Sequence, residues 1–244
     1  MPNWVATVVE FDGKQENIDK VLAAIAGDKE HIEQAVFDFN KLIPMPDDFK
    51  GIESGSNSNL AYDYYMVKKF NSLPSGSWSR NAQEVIDRVE KNINMSSQKM
   101  MEIGKQMAHN VDTYGAKDWY DWCCRNWGTK WNACDCSISG KTLFFQTAWS
   151  FAAPIMCVLA ELCAKYDVGF DGEWADEDMG SNTGHFYCDG VDGLSYDYYP
   201  DCSNEAYSAY VNCQGESLCL GTDSDGAYYH YECDSCPNRE ECGC

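Results

Sequence analysis

The last third of this chain has almost no positive charge and few aliphatic side chains, which limits what it can fold into unaided. From Asp167 to Cys244 there are 18 acidic residues against the single Arg239, whereas Met1 to Tyr166 holds 21 acidic against 17 basic. From Val191 onward the sequence cycles through tyrosine, aspartate, glycine and cysteine, and shows little periodicity beyond a turn of helix at Glu205–Val211. Ordering a backbone costs roughly 1–2 kcal/mol per residue, and so little apolar surface does not offset it. The sequence therefore predicts an irregular, acidic, Cys-rich extension over 190–244 that needs outside help to become ordered.

The charge also constrains partners. A net charge of −21 repels DNA and RNA, whose binding rests on Lys and Arg at phosphates, and attracts basic protein surfaces. Solubility alone is the other use for such acidity. The start MPNWVATVVEFDGKQ has no basic segment followed by an apolar run, as a secretory signal would. The apolar window Thr147–Ala164 contains Pro154 and Glu161 and is shorter than a bilayer span. A cytoplasmic protein without a membrane segment is expected.

Residues 4–11, WVATVVEF, have strand composition. ENIDKVLAAIAG then sets Ile18, Val21, Leu22 and Ile25 on one helical stripe. AVFDF alternates into a short second strand before Pro44 and Pro46, and residues 51–59 are a loop. Helical stretches follow at AYDYYMVKKFNSL and from about Ala82 to His109, with methionines as packing residues. After a third helix at Trp119–Trp122, WNACDCSIS and KTLFFQTAW read as a hairpin turning at Ser139 and Gly140, then a helix from Pro154 to Lys165, then strands VGFDGEW and GHFYCDG. The pattern predicts an α+β fold with helices on one face of an antiparallel sheet. It places a domain at 1–189, a helical insertion at about 60–112 and the extension at 190–244.

WYDWCCRNWGTKWNACD, residues 119–135, concentrates Trp119, Trp122, Trp127 and Trp131, with Trp149 close behind. These rings are either core packing, each burying about 150–250 Å², or a stacking platform with Arg125 and Lys130 for phosphate or hydroxyls. Lys130 is also a candidate cation–π partner for an indole.

Three islands, MPNW, FDFNKLIPMP at 37–46, and WGTKW with LFFQTAWSFAAPI, resemble the YubB-type ferredoxin-like domain family of phage and conjugative-plasmid proteins. The resemblance covers roughly residues 1–187. It implies a ferredoxin-like fold without an iron–sulfur cluster, and carries no settled activity or site residues.

Fourteen cysteines without a signal peptide argue for reduced thiols. Cys233, Cys236, Cys242 and Cys244, with His230 as a substitute, have the spacing of a structural Zn²⁺ site; disulfides and unpaired thiols are the alternatives. Cys123, Cys124, Cys134, Cys136, Cys157 and Cys163 read as small core residues. GTDSDG at 221–226 has part of a calcium-loop pattern but lacks the first ligand and the flanking helices. Asp176, Glu177 and Asp178 either hold Mg²⁺ or form a solvated surface. No phosphate loop, dinucleotide fingerprint or hydrolase motif occurs, so no catalytic residue is assigned. The functional expectation is a non-enzymatic protein of a mobile element, a DNA mimic that inhibits a host defence system of CRISPR or restriction type. Asp176, Glu177, Asp178, Asp197, Asp201, Asp223 and Asp225 would engage a host protein's basic, nucleic-acid-binding surface. The alternatives are a metal-dependent nuclease or nucleotide-modifying enzyme, and a zinc-bearing nucleic-acid-binding protein.

Overall fold

The structure, a computed structural model, describes residues 3–28, 35–232, 234 and 236–238. The chain divides into two compact units, Met1–Pro44 with Asn126–Cys244, and Met45–Arg125. Along the chain run β1 (Trp4–Asp12), α1 (Gln15–Ile25), α2 (Ser56–Phe70), α3 (Ala82–Glu90), α4 (Ser97–Tyr114) and α5 (Trp119–Asn126). Then come β2 (Cys134–Ser139), β3 (Thr142–Ala148), α6 (Ala153–Ala164), β4 (Gly169–Asp176), β5 (Gly184–Cys188), β6 (Ser195–Tyr198), α7 (Asn204–Gln214), β7 (Leu220–Thr222) and β8 (Tyr228–His230).

In the first unit, six strands form one antiparallel sheet in the order β2-β3-β1-β4-β5-β6. The β1–α1–β2–β3–α6–β4 part, with strands ordered β2-β3-β1-β4, is the ferredoxin-like arrangement. β1 sits centrally, Val8 lying opposite Phe144 on one side and Glu173 on the other. Strand alternation sends Val5, Thr7, Val9 and Phe11 to one fully buried face. Trp174, opposite Thr7, lies on the same face and stacks on Phe151 at 4.2 Å between ring centroids.

The α+β class and the antiparallel sheet stand as the sequence predicts, but the tail does not follow the prediction. The described residues beyond 190 are neither irregular throughout nor separate from the sheet. β6 pairs with β5, and α7 covers the second sheet face, so helices do not lie on one face alone. Small residues make this fit: Ala6 of β1 and Ala175 of β4 are cross-strand partners, and Cys213 of α7 packs onto them beside Tyr210, Val8 and Phe144. The Gln214 amide then donates to the carbonyls of Trp4 and Ala175 at 3.2 and 2.9 Å. The tail needs no core of its own because it borrows a face of the sheet.

Two local expectations also change. AVFDF is not a strand: Phe37 and Phe39 are fully buried against Phe145, while the N–H of Phe39 is taken by the Asn132 side chain at 2.8 Å and that of Asn40 by Asp38. Side chains satisfy this backbone, and no ladder forms. The long helix predicted from about Ala82 to His109 is two helices. Asn92 accepts the N–H groups of Asn94 and Met95, and Ser96 caps α4 through the N–H of Lys99.

The second unit, Met45–Arg125, is wider than the expected insertion. Leu60, Ala61, Val67, Val85, Val89 and Met100 form its core. Gly104 lets α4 close onto α2, since a Cβ there would meet the Ala61 carbonyl at 2.1 Å. Met100 and Met107 are fully buried, as packing methionines should be. Of the expected core thiols, Cys123 and Cys163 are buried, whereas Cys124 and Cys157 face solvent because each lies on the outer side of its helix.

Candidate interaction surface

The aromatic motif separates by role. Trp122 is buried against Phe49, and Trp119 is half-buried with its ring edge-on to Tyr120. Both lie in the second unit, as does Arg125. In the first unit Trp127 is buried on Phe39 and donates from Nε1 to the Ile43 carbonyl at 2.9 Å. Trp131 and Trp149 are instead 37 % and 44 % exposed. The Lys130 ammonium stands 4.2 Å from the Trp131 ring and 4.7 Å from the Trp149 ring, and Trp4 lies 6.0 Å from Trp131. Trp149 adopts φ +71, an uncommon conformation for a bulky residue. Its N–H donates to the Asn3 carbonyl at 2.9 Å, and its carbonyl accepts from Asn182 at 3.2 Å.

The carboxylates singled out in the sequence do not gather at one point. Asp176 is buried and accepts from Asn3, Asn182 and the N–H of Asp178, which ties down the turn after β4. Glu177 and Asp178 are exposed beside it. Asp197 lies on exposed β6 opposite His185, and Asp201 is exposed before α7. Asp223 accepts the N–H groups of Asp225 and Ala227, so GTDSDG is the turn of the β7–β8 hairpin. Asp225 is exposed there. His230 is exposed and stacks on Tyr207 at 6.5 Å, and Cys236 is buried; Cys233, Cys242 and Cys244 lie outside the described residues. Among the described residues no group of three His, Cys, Asp or Glu side chains is disposed to hold a metal.

Four other carboxylates do converge. Asp12, Asp167, Asp171 and Asp189 line a shallow groove of about 430 Å³ with Gly13, Gly169, Phe170, Tyr187 and Cys188. The register builds it: Asp12 pairs with Gly169 at the end of β1, and Asp171 pairs with Tyr187 of β5, just before Asp189. Among the described residues no Lys or Arg lines the groove; Lys141 reaches its rim, donating to the Gly13 carbonyl at 2.9 Å. Hydrogen bonds from the N–H groups of Asp192 and Val191 hold the Asp189 carboxyl below the ordinary carboxylate range, so it stays ionised. Glu10 lies directly across from Asp171, a like-charge pairing that weakens a sheet. His185 answers it with Nε2 at 2.9 Å from the Asp171 carboxylate. Taken locally, Asp12-Gly13 does no more than end the strand that begins at Trp4, so nothing in that segment alone points to a group of carboxylates. The usable signal was the recurrence of Asp beside Gly at Asp12, Asp171 and Asp189, since antiparallel strands can bring such ends to one edge.

A search of curated proteins gives no match. Among solved structures, the crystal structure of a protein api92 from Yersinia pseudotuberculosis is similar at 12 % identity and a TM-score of 0.37, covering 82 % of this chain and 99 % of that one. Residues 126–213, which hold β2 to most of α7 and three of the four groove aspartates, match the family model described as the ferredoxin-like domain in Api92-like protein.

Proposed function

We propose that the chain acts by binding a protein and not by chemistry of its own, presenting fixed carboxylates to a basic, nucleic-acid-binding surface of a host protein. The supporting observation is the groove of Asp12, Asp167, Asp171 and Asp189, lined by no Lys or Arg among the described residues, on a sheet to which α7 of the acidic tail is docked. Charge held in a rigid array at a concave site attracts an opposite charge and steers its approach. The resemblance to YubB-type proteins of phages and plasmids extends the proposal to a mobile-element protein of the bacterial cytoplasm that inhibits a host CRISPR or restriction factor. The exposed Glu177, Asp178, Asp197, Asp201 and Asp225 would widen the acidic contact. No described helix is long and apolar enough to cross a membrane.

The test is capture from bacterial lysate with the wild-type chain and with the triple variant Asp167→Asn, Asp171→Asn, Asp189→Asn. The wild type should retain a basic protein at low salt and release it steeply as ionic strength rises, and the variant should retain little. Equal capture by both would refute the proposal. The enzyme alternative is weakened because Asp176 spends its carboxylate on three internal donors; Mg²⁺-dependent cleavage of an oligonucleotide by the pure chain would restore it. A structural Zn²⁺ held by Cys233, Cys236, Cys242 and Cys244, with His230 in reserve, remains part of the proposal, and elemental analysis of protein purified without chelator decides it.

A further inference from the structure

The sheet of the first unit ends differently on its two sides. At one edge β2 carries a bulge between Cys134 and Ser137, a device that keeps an edge from pairing further. At the other edge β6 is exposed along all four residues and runs in unbroken register with β5. It holds no proline, and no Lys or Arg occurs between Lys165 and Arg239. The common protections of an edge, lysine, proline or a bulge, are missing from this strand.

The register shows which backbone groups β6 offers. Asp197 lies opposite His185 and Tyr198 opposite Gly184, and the N–H of Tyr199 donates to the Thr183 carbonyl at 3.0 Å. In an antiparallel ladder every second residue turns both its N–H and its C=O to the same neighbour. Ser195, Asp197 and Tyr199 therefore bond towards β5, whereas the N–H and C=O groups of Tyr196 and Tyr198 point outward. No described residue pairs with those four groups. They are a template for a further strand.

The side chains set what that strand must carry. Tyr196 and Tyr198 lie on the Trp174 face, their rings 6.3 and 5.1 Å from its ring, yet they stay 42 % and 60 % exposed. Asp197 turns to the other face, beside His185, whose Nε2 is 2.9 Å from Asp171. Asp192 precedes the strand and Asp201 follows it, both exposed. Residues directly opposite across a ladder share a face and interact most. Apolar residues opposite Tyr196 and Tyr198, with a lysine or arginine opposite Asp197, match both faces. A second copy does not: two β6 strands side by side bring one set of aspartates against the other, which disfavours the pairing.

We propose that β6 is a docking edge that takes one more strand from the partner protein, an extended segment alternating apolar and basic side chains. The inference rests on the reading of the chain as a binder of a basic protein, and adds main-chain pairing to the charge attraction of the groove. In such strand additions the main-chain hydrogen bonds supply affinity and the alternate side chains supply specificity.

The test uses the full chain and a peptide of about six residues alternating valine and lysine. A second peptide is methylated on the valine nitrogens, the donors that would face β6, so its charge stays and its pairing is blocked; a valine–glutamate peptide controls for charge. By calorimetry the first should bind with Kd on the order of 1 mM or tighter, and the other two about tenfold or more weakly. NMR hydrogen exchange should show the Tyr196 and Tyr198 amides slowed about tenfold at a peptide concentration of roughly ten times Kd, with a smaller effect at Asp197, which already bonds to β5. Tyr198→Pro removes one outward donor at a position where an edge tolerates proline, and should weaken binding of the first peptide. If that variant does not fold, the methylated peptide and the amides still decide. Equal binding of both lysine peptides, or binding without slowing at Tyr196 and Tyr198, would overturn the docking edge and leave charge attraction alone. No binding of either lysine peptide, or self-association of the pure chain that Tyr198→Pro abolishes, would overturn it too. The groove reading fails separately, through unchanged capture by the triple aspartate variant.

Discussion

Replacing Tyr207 by alanine should loosen the entire acidic tail, and the structure gives the size of the effect. Tyr207 is 7 % exposed on α7. Its ring fills the space left by Gly180, where a Cβ would stand 2.6 Å from the ring, and it stacks on His230 of the β7–β8 hairpin at 6.5 Å. Burial and a hydrogen bond with Cys202 push its phenol up to about 12. One ring therefore links α7 to the turn after β4, to Cys202 and to the hairpin. A buried aromatic of this kind hides about 150–250 Å², which at about 25 cal/mol/Å² gives ~4–6 kcal/mol as an upper bound. Truncation of large aromatics typically costs about 3–5 kcal/mol. For a chain of this length each kcal/mol moves the midpoint by about 2–4 °C, so Tyr207→Ala should lower Tm by roughly 6–20 °C. Tyr207→Phe, which keeps the ring and loses one hydrogen bond, should cost about 0.5–1.5 kcal/mol. Circular dichroism melts measure both, and hydrogen exchange on the amides of α7 and β8 locates the change. A Tyr207→Ala loss under about 1 kcal/mol, or amides of 204–214 already exchanging as in an unfolded chain in the wild type, would refute the docking argument and leave the acidic array without a frame.

Other measurements check separate links. Gly172→Ala should destabilise the first unit severely, because a Cβ there would meet the Val8 carbonyl at 2.2 Å and the Phe186 ring at 2.5 Å; a urea midpoint within error of wild type would contradict the register. Burial raises the Asp118 carboxyl above its ordinary 3.8, so the fold binds that proton more tightly than the unfolded chain does. Stability from this group is complete below 3.8 and is lost as pH rises through the folded-state value. Asp118→Asn should therefore gain stability over wild type at pH 7, and the gain should shrink as pH falls towards 4; a difference independent of pH would refute this. Burial pushes the Cys163 and Cys213 thiols up to about 12, so both should resist a thiol reagent at pH 8 until urea is added, while exposed Cys202 reacts at once. Trp122→Ala should cost several times more stability than Trp131→Ala, since only the first ring is buried.

Much of the frame was legible in the residues. WVATVVEF had to be a strand and ENIDKVLAAIAG an amphipathic helix, and the hairpin at Ser139-Gly140 was encoded by its turn; Gly140 indeed takes φ +61. These elements obey local periodicity, so the α+β class followed. AVFDF misled because alternation reports which side chains turn inward but not what satisfies the backbone, and here the Asn132 side chain, far off in sequence, took the N–H of Phe39.

The sequence by itself determined that negative charge gathers in the last third and that this segment has too little apolar surface for a core of its own. Only the tertiary structure decided that 195–230 nonetheless form β6, α7 and the β7–β8 hairpin, with the room for α7 coming from Ala6 and Ala175, on strands distant in the chain. Likewise, the recurrence of Asp beside Gly at Asp12, Asp171 and Asp189 marks strand ends, but only the strand register shows that they share a groove with Asp167, and only helix packing that Asp63 and Asp118 line one cavity. Charge is a property of composition, whereas convergence of charges depends on strand register and helix packing, which long-range contacts fix.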